Sequence, residues 1–386
     1  MNIFFLGIQS IYTSHYASAD SRRIEALAHL LAEQGHHVHI FTAMKAAVRT
    51  IGRIIIHYRP SFNPQSPGGF LPILLSLLSL WRHQPHVVHI HGWRAALLVR
   101  IAALFSPHST YIWTISALPS QSRPLAKFIA WQARSVADAV TTPSRQLQYQ
   151  LLTDFNLPTS YIPDGYTPEE LPVIPAKQWK LRKEQYCVAL TNSLEEIRWI
   201  VQSYRKVKTR KKLVFVHPWP TEQMYRLVKR HAFAEIFELP AGRATSSLIS
   251  QSAAVIAGAP AFGNNLLLQA MEHGLPIITT TDPLNEETVG TTAQIIKMND
   301  VQGLEKALRS VISKTTNQVP WGQKVKRSMG ALKPRTPRGA GARKRARTHF
   351  TWSRIAEEYG VLYRYPVVRK VFIDSIIPKP TWNISA

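Results

Sequence analysis

Short apolar, β-branched runs alternate with stretches of helical periodicity along almost the whole of this 386-residue chain. Residues 2–6, 37–42, 53–58, 87–91, 111–115, 139–142 and 160–163 read as strands, and 21–34, 93–105, 125–136 and 144–154 as helices between them. Strands without a polar face, joined through helices, belong to a parallel sheet covered on both sides. The segment 264–282 shows the pattern at its tightest. A short amphipathic helix carries Leu266, Leu267, Ala270 and Met271 on one face and runs into His273-Gly274; Pro276 and the strand 277–281 follow. Glycine just past the last turn, with proline two residues on, is a helix stop. Asn264 and Asn265 stand at the helix N-terminus, where backbone N–H groups can hold a phosphate or the side chains can cap.

The alternation breaks once. After Asp164-Gly165 come Pro168, Pro172 and Pro175, and strands then resume at 186–190, 213–217, 236–239, 254–257, 277–281 and 294–297. A chain of this length exceeds one ordinary core. The expectation is an α/β protein of two Rossmann-like domains facing a cleft: an N-terminal domain at 1–165, a linker at 166–184 and a C-terminal domain at 185–318. A basic insertion at 319–349 and a closing helix with tail at 350–386 complete it.

Charge narrows the partners. The chain has 47 basic and 23 acidic residues, a net charge of +24. Ten of the basic residues fall between Lys324 and Arg347 without one acid, and six more between Arg205 and Lys212. Such runs suit anionic lipid head groups, nucleic acid or a nucleotide diphosphate. No aromatic residue is interleaved between Gly322 and His349, which argues against single-stranded nucleic acid. Pro320, Pro334, Pro337 and four glycines from Gly322 to Gly341 predict a flexible insertion without helix or strand. The single Cys187 excludes an intramolecular disulfide and a cysteine-based zinc site and fits a cytoplasmic protein. The apolar run 70–81 is interrupted by Pro72, Ser76 and Ser79 and is too short to span a bilayer. The expected location is the cytoplasm, with the run Lys324–Arg347 as a contact for the inner face of the plasma membrane.

Several segments, in order, resemble family 4 glycosyltransferases of the GT-B fold over roughly residues 1–363. They are the helix-to-strand passage Leu27–Val38, the strand and loop Val87-Val88-His89-Ile90-His91-Gly92-Trp93-Arg94, the strand Ala137–Ser144, the exit Ile162-Pro163-Asp164-Gly165, and Ala270-Met271 with Gly274 and Pro276. The resemblance implies metal-independent, retaining transfer of a sugar from a nucleotide-diphosphate sugar, with no cofactor. Positive side chains and helix N-termini then neutralise the departing diphosphate.

Five family features are substituted: the Gly-Gly pair, the histidine, the Arg/Lys pair and each of two glutamates. Ser18-Ala19 stand where the resemblance places a Gly-Gly pair, and Ser116 where it places a histidine. Asn192 and Ile197 fill the slots of an Arg and a Lys, with Arg198 one residue beyond; Ala261 and Gln269 replace two glutamates. The resemblance assigns Arg198, Gly263, Asn264, Asn265 and Gln269 to the donor, and Ser18, Ala19, His91 and Ser116 to the acceptor side; the catalytic slots hold Ser116, Asn192, Ala261 and Gln269. On the bare residues Arg198 reads first as a surface residue of a capped helix, because Glu195 and Glu196 in the same turn would repel a diphosphate. His89 and His91 share a strand face, yet no third ligand stands near, so they line the site or pack at the strand end rather than hold a metal.

Two functional classes follow. The first is a hexosyltransferase acting on a lipid-linked or polysaccharide acceptor in cell-envelope glycan synthesis. The alternative is a catalytically inactive homologue that serves as a binding or scaffolding subunit. A nucleic-acid binder, supported by charge alone, ranks third.

Overall fold

The computed structural model describes residues 1–8, 19–42, 49–58, 78, 80–92, 100, 103–119, 122–166, 173–191, 193–217, 220–238, 243–258, 265–316 and 337–365. The chain divides into two compact units. Unit 1 is Met1–Pro163 with the segment from Ser353 onward, and unit 2 is Asp164–Trp352.

Unit 1 is built on an eight-stranded sheet. In chain order its strands are β1 (Asn2–Ile8), β2 (His37–Thr42), β3 (Thr50–Ile51), β4 (Ile54–Tyr58), β5 (Val87–His91), β6 (Thr110–Thr114), β7 (Ala139–Thr142) and β8 (Ser160–Tyr161). The spatial order is β3-β4-β2-β1-β5-β6-β7-β8, and every pairing is parallel except β3 with β4. Helix α1 (Ala19–Glu33) follows β1, α2 (Arg123–Val136) precedes β7, and α3 (Arg145–Phe155) precedes β8. Ser144 caps α3 by accepting from the Leu147 N–H at 3.3 Å, so the serine-capped start read from the sequence is present. One face of the sheet, with Phe4, Val88, Ile90, Tyr111 and Trp113, packs on Ile129, Ala130 and Ala133 of α2. Alternation places Phe5, His89, His91 and Thr114 on the other face.

Unit 2 carries a six-stranded, wholly parallel sheet: β9 (Tyr186–Leu190), β10 (Lys212–His217), β11 (Ala234–Glu238), β12 (Val255–Ala257), β13 (Ile277–Thr280) and β14 (Gln294–Ile296), in the order β11-β10-β9-β12-β13-β14. Its helices are α4 (Leu194–Val207), α5 (Glu222–Lys229), α6 (Arg243–Ser250), α7 (Asn265–Glu272), α8 (Pro283–Val289), α9 (Val301–Thr316) and α10 (Pro337–His349). Helix α7 ends as its sequence dictates. Gly274 takes φ +62°, its N–H bonds the Met271 carbonyl at 2.9 Å, and the Leu275 N–H bonds the Ala270 carbonyl at 3.2 Å. That pair of bonds is a Schellman stop, and it delivers Leu275 to the core before β13 begins.

Two expectations are corrected. The segment 166–184 packs on unit 2 over its described part: Tyr166 is buried, the Ile174 N–H donates to Ser247 Oγ at 3.0 Å, and Ala176 joins the core. The basic insertion is not devoid of structure either, because its second half is helix α10. Pro337 opens that helix, a position where its missing N–H costs nothing. Gly339, Ala342 and Ala346 are buried and let α10 lie against α7. The arginines then serve as anchors. Arg343 Nε donates to the Glu272 carbonyl at 2.6 Å, and Arg345 donates to the Thr288 and Glu287 carbonyls at 2.8 and 2.7 Å. Cations at the carbonyl ends of α7 and α8 satisfy orphan acceptors and oppose the helix dipoles. Arg347 pairs with the Glu272 carboxylate, which also accepts from Tyr166 Oη at 2.6 Å. Helix α11 (Trp352–Arg364), read from sequence as the closing helix, belongs to unit 1 from Ser353 onward.

Candidate functional site

In an open doubly wound sheet the ligand crevice lies at the carboxyl ends of the strands where the winding direction reverses. In unit 2 that point is between β9 and β12. There the Gly258 N–H donates to the Leu190 carbonyl at 3.1 Å. The Gly258 carbonyl in turn accepts from Asn285 Nδ2 at 2.6 Å and Thr280 Oγ1 at 3.1 Å. Glu196 lies against the same glycine: a Cβ on Gly258 would stand 2.7 Å from the Glu196 carboxyl carbon. Glu196 is the third residue of α4, and its N–H donates to the capping Ser193 Oγ at 3.2 Å. Serine at the cap with glutamate three residues on is a capping-box sequence, which fixes the glutamate at this helix start.

Three buried oxygens of unit 2 have no hydrogen-bond partner among the described residues: Thr191 Oγ1, just past β9, Asn285 Oδ1, whose amide reaches Gly258, and Gln269 Oε1, within α7. The amide oxygens of Asn285 and Gln269 accept only, and the Thr191 hydroxyl can accept or donate, so these atoms suit hydroxyl groups such as those of a sugar or ribose. Gln269, the position substituted for a family glutamate, is buried on α7, and Asn265 is half-buried as its first residue. Arg198 is exposed on α4, whereas Ile197 beside it is wholly buried in the core. Asn192, Ala261, Gly263 and Asn264 lie outside the described residues.

In unit 1 the winding reverses between β1 and β5. His91 is the last residue of β5, and Gly92 turns the chain off the strand with φ +71°. His89, two residues earlier, is held from both sides. Its Nδ1 lies 2.8 Å from Tyr363 Oη of α11, and its Nε2 lies 2.7 Å from Thr114 Oγ1. Thr114 continues the network to Thr141 at 2.6 Å and Tyr359 at 3.3 Å. His91 packs on His89, with ring centroids 4.2 Å apart, and on Phe5. Both of its ring nitrogens are buried without a hydrogen-bond partner among the described residues. Arg23, on α1, is 1% exposed and donates from Nη1 to Ser116 Oγ at 3.2 Å. Burial, with the His91 ring and the Arg23 charge adding to it, holds His89 well below the usual imidazole range. Burial and then Arg23 do the same to His91. Both rings are therefore neutral, each with one donor and one acceptor nitrogen.

The structure thus brings His91 and the half-buried Ser116 to one sheet edge of unit 1. Ser18 lies outside the described residues, and Ala19 begins α1. Sequence reasoning missed Arg23, Thr191, Glu196 and Asn285. Arg23 had a legible signal: four residues before Leu27, it falls on the apolar face of α1 that buries Ile24, Leu27 and Leu31. Among the described residues no cluster of three metal-ligating side chains occurs, and no helix is long and apolar enough to cross a membrane.

Residues 21–170 match the family model of Glycosyltransferase Family 4. No curated protein matches the chain by sequence. Among solved structures it is similar to sucrose-phosphate synthase from Thermosynechococcus elongatus, with a TM-score of 0.72, 15% identity, and coverage of 95% of this chain and 99% of that one. A glycosyltransferase from Rickettsia africae gives 0.70 at 14% identity, covering 95% and 98%. HepE of Anabaena, in complex with UDP and glucose, gives 0.70 at 13% identity, covering 93% and 98%. At these identities the structural likeness establishes the fold, two parallel-sheet Rossmann-like domains of the GT-B type.

Proposed function

We propose that this family 4-like chain of GT-B fold is a glycosyltransferase that moves a hexosyl group from a nucleotide-diphosphate sugar to a lipid-linked or polysaccharide acceptor of the cell envelope. The observation that carries the reading is the pair of buried, unpartnered oxygens of Thr191 and Asn285 at the Gly258 edge, with that of Gln269 on α7 beyond them, at the point of the unit 2 sheet where such folds hold ligands. These groups accept from sugar or ribose hydroxyls. Gln269 does so as a neutral amide, and the N-terminus of α7 offers N–H groups to a phosphate. Exposed Arg198, one turn into α4, supplies positive charge toward the diphosphate in this reading. The fold resemblance to a protein that carries UDP and glucose supports a nucleotide-sugar donor. Unit 1, with His91 and Ser116, takes the acceptor. Helix α10 spends Arg343, Arg345 and Arg347 on internal anchors and leaves Arg338 and Lys344 exposed for an anionic membrane at the inner face.

Calorimetric titration with UDP, GDP and ADP and their common sugars tests the reading, followed by turnover with the sugar that binds. Binding with turnover supports it. Binding without turnover on any acceptor turns the chain into a ligand-binding subunit, and no binding at all removes the donor assignment.

A further inference from the structure

The polar cluster of unit 1 has a composition that packing alone does not call for. Arg23 stands among Ile24, Leu27 and Leu31 on the buried face of α1, and its charge lies within electrostatic reach of His89 and His91. The guanidinium brings a fixed positive charge to the strand-end switch point where such sheets hold ligands, and a charge held there favours a ligand of opposite sign. His91 ends β5 where the winding reverses, and both of its buried nitrogens lack partners among the described residues. Its neighbour His89 shows the contrast, with a hydroxyl on each nitrogen. Ser116, half-buried at the exit of β6, is already hydrogen-bonded to Arg23. The three residues come from three elements, α1, β5 and the segment after β6: Arg23 and Ser116 touch, and His91 pairs in register with Thr114, two residues before Ser116, at the carboxyl edge of one sheet.

We propose that Arg23, His91 and Ser116 form an oxyanion subsite, so that the acceptor bound by unit 1 carries a phosphate or carboxylate group. Arg23 supplies fixed charge and two-pronged donors, the neutral His91 ring supplies one N–H, and the Ser116 hydroxyl supplies a third direction. The subsite rests on the reading of unit 1 as the acceptor side, and it narrows the acceptor from any glycan or lipid to an anionic one. A phosphorylated sugar or lipid and an acidic sugar share this chemistry.

The test uses the full chain and titrates inorganic phosphate and acetate separately, each with and without saturating UDP. Phosphate binding should weaken by at least about tenfold in Arg23→Met, the worth of one charge-assisted hydrogen bond. It should weaken less in Ser116→Ala and in His91→Phe, and recover in part in Arg23→Lys. UDP affinity should stay unchanged in all four. Thermal melts establish that each variant is folded. If Arg23→Met does not fold, Ser116→Ala and Arg23→Lys decide, since both must lower phosphate affinity while leaving UDP binding alone. Preference for phosphate over acetate points to a phosphorylated acceptor, and the reverse preference to an acidic sugar; either supports the subsite. Phosphate affinity equal in wild type and folded variants overturns it. Loss of UDP binding in wild type with phosphate binding intact overturns the donor assignment and leaves the subsite standing.

Discussion

On the proposed donor reading, the Glu196 carboxyl beside Gly258 stands near the diphosphate, and this gives a prediction with a definite sign. A phosphate resting on the Gly258 edge would lie about 5–6 Å from that carboxyl. At an effective dielectric of about 20, two unit charges at that separation repel by about 3 kcal/mol. Counter-ions reduce this, so a net cost of about 1–3 kcal/mol is expected, a factor of about 5 to 150 in affinity. Glu196→Gln removes the charge and keeps the shape. It also keeps the Ser193 cap, whose bond comes from the backbone N–H of residue 196, so α4 should fold as before. Isothermal titration with UDP at low and high salt is the assay. UDP should bind Glu196→Gln more tightly than wild type, and the gain should shrink as salt rises. Affinity that stays equal or falls refutes the reasoning. A fall would mean that Glu196 accepts from a ligand hydroxyl rather than repelling a phosphate.

Three further outcomes follow from the structure. Gly258→Ala should cost at most about 1 kcal/mol in urea unfolding, because its methyl group meets only the movable end of the Glu196 side chain, and most of that cost should vanish in the double variant with Glu196→Ala. For Glu272, burial pushes the carboxyl upward, but hydrogen bonds from Arg347 and Tyr166 and the charges of Arg347 and Arg343 outweigh it and leave it lowered. A lowered carboxyl contributes stability that is present above its unfolded range near 4 and is lost as pH falls through the folded value; unfolding midpoints should drop across that window in wild type and less in Glu272→Gln. Burial pushes the Cys187 thiol up to about 11, so thiol reagents should label it only as fast as unit 2 opens, and prompt labelling of the native chain would contradict its place in the core.

Much of the fold was legible because it depends on local rules. A parallel sheet covered by helices demands runs such as Tyr186–Leu190 that are apolar on both faces, and the helix stop at Gly274 needs only a residue that tolerates positive φ. Helix α10 was not legible. Its proline and glycines argue against a helix when only neighbours in sequence are weighed. In the folded chain Pro337 sits in the first turn, and Gly339, Ala342 and Ala346 are small because α7 presses on them. Tertiary contact there reverses the local preference.

The site divides in the same way. Sequence alone determined that two doubly wound units would form, and its family resemblance marked His91, Ser116 and Gln269 as site positions. It could not determine which partners they meet. That Arg23 reaches Ser116, that Glu196 lies on Gly258, and that Tyr363 closes the network of His89 are decisions of the tertiary structure. The reason is one of range. Periodicity and capping act over a few residues, whereas these contacts join residues 93, 62 and 274 positions apart, brought together only when each sheet has wound in both directions from its first strand.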